Sequence, residues 1–391
     1  MSVAGLKIGI FTETYRPQIN GVVTSIENLK KILVERGAQP IVFTVGSESG
    51  VEEEDSVIVH RFKSLAYPFY PEYRFAPSRF RKVKKIIEQY SLDILHSHGP
   101  FSMGINALYA HKNLKIPLVG TFHTLLPEYI HYLVGEKSAE HFSLFLKRYS
   151  WRYLKWYYSR CDVITCPSKA AADLLKQKSF ENVVIISNGI DTDRFNPKVS
   201  GSEFREAYGL TENEKIILAL GRISAEKNIP FIVESASIIV KKNRNVKIVV
   251  AGEGPAKDEL ISLVNKMNLN GNFVFTGQLP NNLLPSTYAA ADMFIISSQT
   301  DTQGLAVLEA MSTGKPIVAA HSGVLGELIK DGRNGFTAKD VDDFAEKTIQ
   351  ILSDVDLERK MGEESRKMVY PHSLERVGDQ ITRLYNSLLL K

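Results

Sequence analysis

The segment SSQTDTQGLAVLEAMSTGKPIVAA (Ser297–Ala320) holds two acids, Asp301 and Glu309, eight residues apart with Gly304 between them. An apolar run, Met293–Ile296, leads into it, and the residues after Gly304 follow a helical pattern. A helix start presents backbone N–H groups with no intrahelical acceptor and the positive end of the helix dipole, a combination that holds phosphate. Gly304 removes the side chain where a diphosphate must approach, and Leu305 and Ala306 supply amides. Asp301 can accept hydrogen bonds from hydroxyls on one side of the phosphates. Glu309, about two turns on, can accept them from hydroxyls on the other. Sugar, diphosphate and ribose in that order describe a nucleotide sugar. Two acids at this spacing also arise by chance on surface helices, and the strand–loop–glycine–helix context is what separates the two readings.

A diphosphate calls for cations. LALGRISAEKN places Arg222 and Lys227 in the loop after another apolar run, Ile216–Leu220. There they can neutralise a leaving group by charge-assisted hydrogen bonds, although two solvated surface cations would look the same. VAGEGP (Val250–Pro255) puts Gly252 in a G-x-G pair, which fits a donor contact or a plain tight turn equally. FTGQLP (Phe275–Pro280) puts Gln278 and Leu279 where main-chain groups can read a base. In the first half, Asn20-Gly21 opens a helix whose backbone can meet phosphate or sugar. His98 (in HSHGPF) and His123 (in GTFHTLLPEY) each follow a strand-like run. A strand-end histidine is often only a hydrogen-bonded structural residue. The place of His123 between Phe122 and Thr124 favours a site role; His98 stays open between the two.

These groups need strand ends to sit on. Strand-like runs recur at Lys7–Phe11, Pro40–Thr44, Val57–Phe62, Ile94–His96, Leu118–Thr121, Val163–Cys166 and Val183–Ile186. They resume at Ile216–Leu220, Lys247–Ala251, Phe273–Thr276, Met293–Ile296, Pro316–Ala320 and Gly335–Thr337, with helical patterns between. The alternation predicts parallel sheets built from β-α-β units. The chain's 391 residues suit two domains of about 150–200 residues. The expected architecture is α/β, with two Rossmann-like doubly wound domains over 1–190 and 191–371. NGIDTDRFNP (Asn188–Pro197) is the joint, and a C-terminal helix lies in 372–391. Ligands bind beyond the carboxyl ends of the strands, so a central crevice faced by both domains is the expected site.

Composition narrows the class. Cys161 and Cys166 cannot by themselves form a disulfide framework or a four-ligand zinc site. The apolar runs are strand-sized, and the first residues lack a signal-peptide pattern, so a cytoplasmic protein is expected. Residues 1–190 carry 24 basic and 17 acidic residues, 24 − 17 = +7; the remainder carries 24 and 27, 24 − 27 = −3. The asymmetry suits an anionic partner for the first half, and random drift of surface charge would explain it as well.

NGVV, GTFHT, SNGIDTDRF, GRISAEKN, VAGEGP, FTGQLP and DTQGLAVLEAMSTGKPIV run in this order along nearly the whole chain. With them the sequence resembles the retaining glycosyltransferases of family 4, which have the GT-B fold. The resemblance implies diphosphate binding at Arg222 and Lys227, ribose binding at Glu309, and contacts to the donor sugar at His123 and Asp301. It also implies a final helix that crosses back to the first domain. The family's acid pair usually begins with glutamate; Asp301 is one methylene shorter, which bears on sugar contacts. GPFSMGINAL and FHTLLPEYIHYLVG resemble the subgroup that glycosylates diacylglycerol, the α-monoglucosyldiacylglycerol synthases.

These readings together predict a hexosyltransferase. Its catalytic residues are His123, Arg222, Lys227 and Asp301. Its donor site is Asn20, Gly21, Arg222, Lys227, Gly252, Gln278, Leu279, Gly304, Leu305, Ala306 and Glu309. UDP-glucose is the first donor expected; GDP-mannose or another donor with a soluble or polysaccharide acceptor stays open. No cofactor and no metal are expected, since Arg222, Lys227 and the helix start can neutralise the diphosphate. The D-x-D of Asp191–Asp193 lies in the joint rather than at the phosphate loop. No first-domain carboxylate is clearly placed as a nucleophile, Glu13 and Glu128 being the nearest, and the resemblance implies same-face transfer without one.

FLKRYSWRYLKWYYSR (Phe145–Arg160) combines basic residues and aromatics with no acid. Arg148, Arg152 and Lys155 share one helical stripe beside Phe145, Tyr149 and Trp156, a pattern that suits an anionic bilayer interface. Ordinary core aromatics with a wet basic face would read the same way. RFRKVKK (Arg79–Lys85) adds a second basic helix. The expected acceptor or membrane residues are His98, Glu128, Tyr129, Arg148, Arg152 and Lys155. The expected partners are a nucleotide sugar, a lipid acceptor and the cytoplasmic face of an anionic membrane; no nucleic acid is expected. An NAD-linked Rossmann enzyme would need G-x-G-x-x-G after the first strand, and TETYRPQINGVV lacks it. A non-catalytic nucleotide-sugar sensor remains the alternative of another class.

Overall fold

Alternate residues of each central strand enter different cores. Ile8 and Ile10 pack on one side of the first sheet and Phe11 on the other. Ile216 and Leu218 face one side of the second sheet, Ile217 and Ala219 the opposite side. Strands buried on both faces in this way are the mark of parallel sheets sandwiched between helices. The computed structural model describes residues 2–67, 70–76, 79–123, 140–298, 301–320 and 323–390. It forms two units, Met1–Gly189 with Leu374–Lys391, and Ile190–Ser373.

The strands of unit 1 are β1 (Lys7–Phe11), β2 (Gln39–Gly46), β3 (Gly50–Glu54), β4 (Val57–Lys63), β5 (Leu65–Tyr67), β6 (Tyr70–Phe75), β7 (Ile94–Ser97), β8 (Leu118–Thr121), β9 (Val163–Cys166) and β10 (Val183–Ile185). Its helices are α1 (Gly21–Glu35), α2 (Phe80–Tyr90), α3 (Ser102–Leu114), α4 (Glu140–Tyr158) and α5 (Lys169–Gln177), joined by the last helix of the chain. The main sheet has the order β10-β9-β8-β7-β1-β2-β4-β3. Strand order reverses between β1 and β7, so ligands are expected beyond their ends. The sheet is not wholly parallel: β3 pairs antiparallel with β4 at the edge. A separate hairpin, β5–β6, was also not anticipated.

Unit 2 contains β11 (Lys215–Leu220), β12 (Val246–Ala251), β13 (Phe273–Gly277), β14 (Met293–Ile296), β15 (Ile317–Ala320) and β16 (Gly335–Ala338). Its helices are α6 (Ser202–Ala207), α7 (Ile229–Lys242), α8 (Lys257–Lys266), α9 (Leu284–Ala290), α10 (Leu305–Ser312), α11 (Leu325–Leu328), α12 (Val341–Leu352) and α13 (Val355–Val369), with a 3₁₀ turn at Ala225–Lys227. The sheet order β13-β12-β11-β14-β15-β16 is the doubly wound dinucleotide-fold order, with its switch point between β11 and β14.

The C-terminal helix α14 (Leu374–Leu389) belongs to unit 1. Val377, Ile381, Leu384, Tyr385 and Leu388 recur at helical spacing and pack with Ile26, Leu29 and Leu33 of α1. Arg36 at the end of α1 anchors it, with Nη2 2.8 Å from Asp379 and Nη1 donating to Thr382 at 3.1 Å.

Candidate active site

The switch point of unit 2 brings together residues far apart in sequence. Lys227 ends the turn after β11, and Asp301 lies in the loop after β14. Lys227 Nζ sits 2.6 Å from Asp301 Oδ1 and 3.5 Å from Ser298 Oγ. The turn is held from below: the single hydroxyl hydrogen of Ser297 is shared between the carbonyls of Lys227 at 2.6 Å and Asn228 at 2.9 Å. Both charged side chains keep about a fifth of their surface exposed, 23% and 18%, so the pair is sheltered yet reachable. Arg222, partly exposed, enters the same β11 loop just after Gly221.

Gly304 is the N-cap of α10 at φ 77°, a left-handed conformation that favours glycine. The turn it makes starts the helix, with Val307 and Leu308 amides donating to the Gly304 carbonyl at 3.0 and 3.2 Å. Leu305 and Ala306 occupy the first turn, where an α-helix has no carbonyl of its own to accept the amides. Glu309 lies further along the same helix, 9% exposed, with Tyr288 of α9 donating its hydroxyl to Oε2 at 2.6 Å. Burial raises the Glu309 carboxyl to about 7, opposed by the Tyr288 hydrogen bond and by Arg194.

The G-x-G of VAGEGP has a structural cause. A Cβ on Gly252 would collide with the Gly221 carbonyl, and one on Gly254 with that of Ile223. The loops after β11 and β12 run backbone against backbone, with Ile223 N donating to Glu253 O at 2.9 Å. Gly252 therefore fixes the loop that carries Arg222. After β13, Gln278 is exposed while the Leu279 side chain is buried in the core. Asp191 accepts from the amides of Asp193 and Arg194 at 3.2 and 3.0 Å, so the D-x-D acid caps its own turn.

In unit 1 the switch point carries imidazoles. His96, His98 and His123 form a column: ring centroids lie 4.4 Å apart for His96 and His98 and 5.1 Å for His98 and His123. His98 Nδ1 is 2.8 Å from His123 Nε2. His96 bridges Tyr385 of α14 at 2.7 Å and Thr121 Oγ1 at 2.6 Å, and Thr121 in turn meets Thr165 at 2.7 Å. Burial keeps all three rings neutral, His96 at about 3, His123 at about 4 and His98 well below its ordinary value. His98 is thus buried between two rings. The sequence reading missed His96 and Tyr385, because their partnership is a contact over 289 positions that local spacing does not encode.

Glu13, after β1, is buried against the start of α3 and accepts from the Met103 amide and, at 3.5 Å, from Ser102. Burial raises it to about 7. Asn20 caps α1, its side chain accepting from the amides of Val22 and Val23 at 3.0 Å each. These two amides of the first turn are therefore occupied, and Gly21 is the first residue of the helix. Glu128 and Tyr129 lie outside the described residues.

The outer face of α4 is mixed. Arg148, Arg152 and Lys155 are exposed, and so are Phe145 (63%), Tyr149 (64%) and Trp156 (42%). Leu154, Tyr157 and Tyr158 turn inward to the core. The aromatics of the basic stripe are surface groups; the core is served by others. No described helix is long and apolar enough to cross a membrane.

Residues 19–194 match the family described as Glycosyltransferase Family 4, and residues 201–368 match Glycosyl transferases group 1. An alpha-monoglucosyldiacylglycerol synthase of Streptococcus pneumoniae is 33% identical over 83% of this chain and 74% of its own. A protein of the same name from Acholeplasma laidlawii is 28% identical over 99% of this chain and 98% of its own. Among solved structures, Anabaena HepE in complex with UDP and glucose superposes with a TM-score of 0.75 at 18% identity, covering 98% of this chain and all of that one. The chain belongs to the family 4 glycosyltransferases and has the GT-B fold of two Rossmann-like domains.

Proposed function

We propose that the chain is a retaining, metal-independent glucosyltransferase that moves glucose from UDP-glucose to a lipid acceptor such as diacylglycerol, giving an α-glycoside. The observation that carries the donor half is the Lys227–Asp301 pair at the unit 2 switch point, Asp301 lying in the loop that leads into α10. In unit 2, Lys227 and Arg222 take the diphosphate, the Leu305 and Ala306 amides add to it, Glu309 takes the ribose and Asp301 holds the sugar; in unit 1, His123 is assigned a donor-sugar contact on the family resemblance alone. The bond from C1 to the diphosphate oxygen breaks as the acceptor oxygen approaches C1 on the same face. The acceptor proton passes to the leaving diphosphate oxygen. Charge grows on the diphosphate in this step, which is where preorganised cations lower the barrier most.

The acceptor half rests on the names of the two relatives and on the exposed basic and aromatic face of α4. Such a face seats cations among anionic headgroups and rings at the interface. The protein is then peripheral on the cytoplasmic face of an anionic membrane. A donor screen with a lipid extract, read by mass spectrometry, tests the reading. Glucosyl lipid from UDP-glucose supports it; transfer only from another nucleotide sugar, or only to a soluble acceptor, refutes it.

A further inference from the structure

The imidazole column contains one group that the donor site does not explain. His98 is 6% exposed, and its Nε2 is buried with no hydrogen-bond partner among the described residues. Its other nitrogen, Nδ1, faces His123 Nε2 at 2.8 Å. Both rings are neutral, so one of these two nitrogens carries a hydrogen and the other accepts it. If His123 donated, His98 would carry its hydrogen on Nε2, leaving a buried N–H with no acceptor. Orphaned buried N–H groups are among the rarest features of folded proteins, and an unfilled lone pair is the better tolerated of the two defects. The favoured arrangement places the hydrogen on His98 Nδ1, donates it to His123 Nε2, and leaves His123 with its own hydrogen on Nδ1.

We propose that His98 is a positioning residue that holds His123 in the tautomer protonated at Nδ1. The column makes this selection rigid. The His98 amide donates to Phe11 O at 2.8 Å, fixing the strand end. His96, held by Tyr385 and Thr121, packs against the His98 ring with centroids 4.4 Å apart. His123 is then a defined donor at Nδ1, suited to an oxygen acceptor such as a sugar hydroxyl or a carbonyl. The consequence for catalysis rests on the donor-sugar role proposed for His123; the tautomer itself does not.

The test is ¹⁵N NMR of the full chain labelled at histidine nitrogens, at neutral pH, with the His123 signals assigned from their loss in His123→Gln. The expected wild-type spectrum has a protonated Nδ1 and a bare Nε2 on His123. The reverse pattern, or equal populations, overturns the proposal without recourse to any variant. His98→Phe keeps a ring at this position and removes the donor; the His123 bias should vanish and kcat/KM fall on the order of ten-fold. In His98→Asn the amide nitrogen can stand near the place of Nδ1, and the bias should return in part. A His98→Phe protein that retains the Nδ1-protonated form of His123 overturns the proposal. The expected tautomer in a chain that transfers no sugar would leave the proposal standing and refute the function.

Discussion

At its switch point unit 2 carries an ion pair, Lys227 with Asp301, beside a helix start that offers amides. Unit 1 carries at its own switch point three imidazoles in contact, kept neutral by burial. Their surfaces differ in the same sense. Unit 1 has 27 basic and 19 acidic residues, 27 − 19 = +8, and unit 2 has 21 and 25, 21 − 25 = −4. Among described residues, the large apolar side chains exposed on unit 2 are Val355 and Tyr370. Unit 1 exposes Leu65, Phe75, Tyr109, Phe145, Tyr149 and Trp156 among others. Concentrated charge sits inside the unit that is acidic overall, and spread positive charge with aromatics coats the other. That division suits a small anionic ligand held at one point by unit 2 and an extended anionic surface met by unit 1.

Variants on the two units should therefore fail in different ways. Lys227→Ala and Arg222→Ala should each lower turnover about 100-fold or more, with a smaller change in donor affinity, because their partner charge grows in the transition state. Steady-state kinetics with saturating donor would show it, and weakened donor binding with unchanged turnover would assign these residues to ground-state binding alone. On unit 1, removing Arg148, Arg152 and Lys155 together should weaken partition onto anionic vesicles by about 3 kcal/mol, on the order of 100-fold, at about 1 kcal/mol per cation. Nucleotide affinity should not move. Flotation with neutral and anionic vesicles separates the outcomes, and equal recovery with both in the unaltered protein would remove α4 from the membrane.

Glu309 links the comparison to pH. Its carboxyl titrates at about 7 because it is buried, and ribose hydroxyls donate to the ionised form. Nucleotide binding should therefore tighten as pH rises from 6 to 8, and Glu309→Gln should flatten that slope. Glu309→Ala should cost about 1.5–3 kcal/mol, roughly 10–100-fold in affinity by calorimetry. The stability sign is opposite. Between about 4.5 and 7 the folded chain holds the proton more tightly than the unfolded one, so this group's contribution to stability falls as pH climbs through that window.

Tyr385→Phe is the mildest of the changes. It leaves His96 Nδ1 buried without its hydroxyl partner, a loss of about 1–3 kcal/mol. Calorimetry should show unit 1 melting earlier while nucleotide affinity on unit 2 stays unchanged.

Much of this was legible in sequence because the central strands are short apolar runs buried on both faces, and the strand ends carry the polar motifs. Asp301, Gly304 and Glu309 were readable as loop, helix start and helix for that reason. What was missed has specific causes. Helix α13 buries Met361, Gly362, Ser365 and Val369, and two of these are too small or polar to give an apolar period. The sequence LAYPFYPEYRF, from which the β5–β6 hairpin forms, sets prolines among aromatics, which hides any alternation. Gly252 reads equally as a donor contact or a tight turn, and only the structure shows its backbone packed on Gly221. The Tyr288–Glu309 and Tyr385–His96 bonds join separate elements, and no local spacing announces them.

The division of labour between the units is tested most directly by one assay. UDP-glucose is supplied to the protein with diacylglycerol in anionic or neutral vesicles, with EDTA present, and the product is read by mass spectrometry and by NMR at the anomeric carbon. The account predicts α-glucosyldiacylglycerol, formed faster on anionic vesicles and more slowly as salt rises. A β-linked product, a strict need for Mg²⁺ or Mn²⁺, or no glycolipid on either vesicle would contradict it.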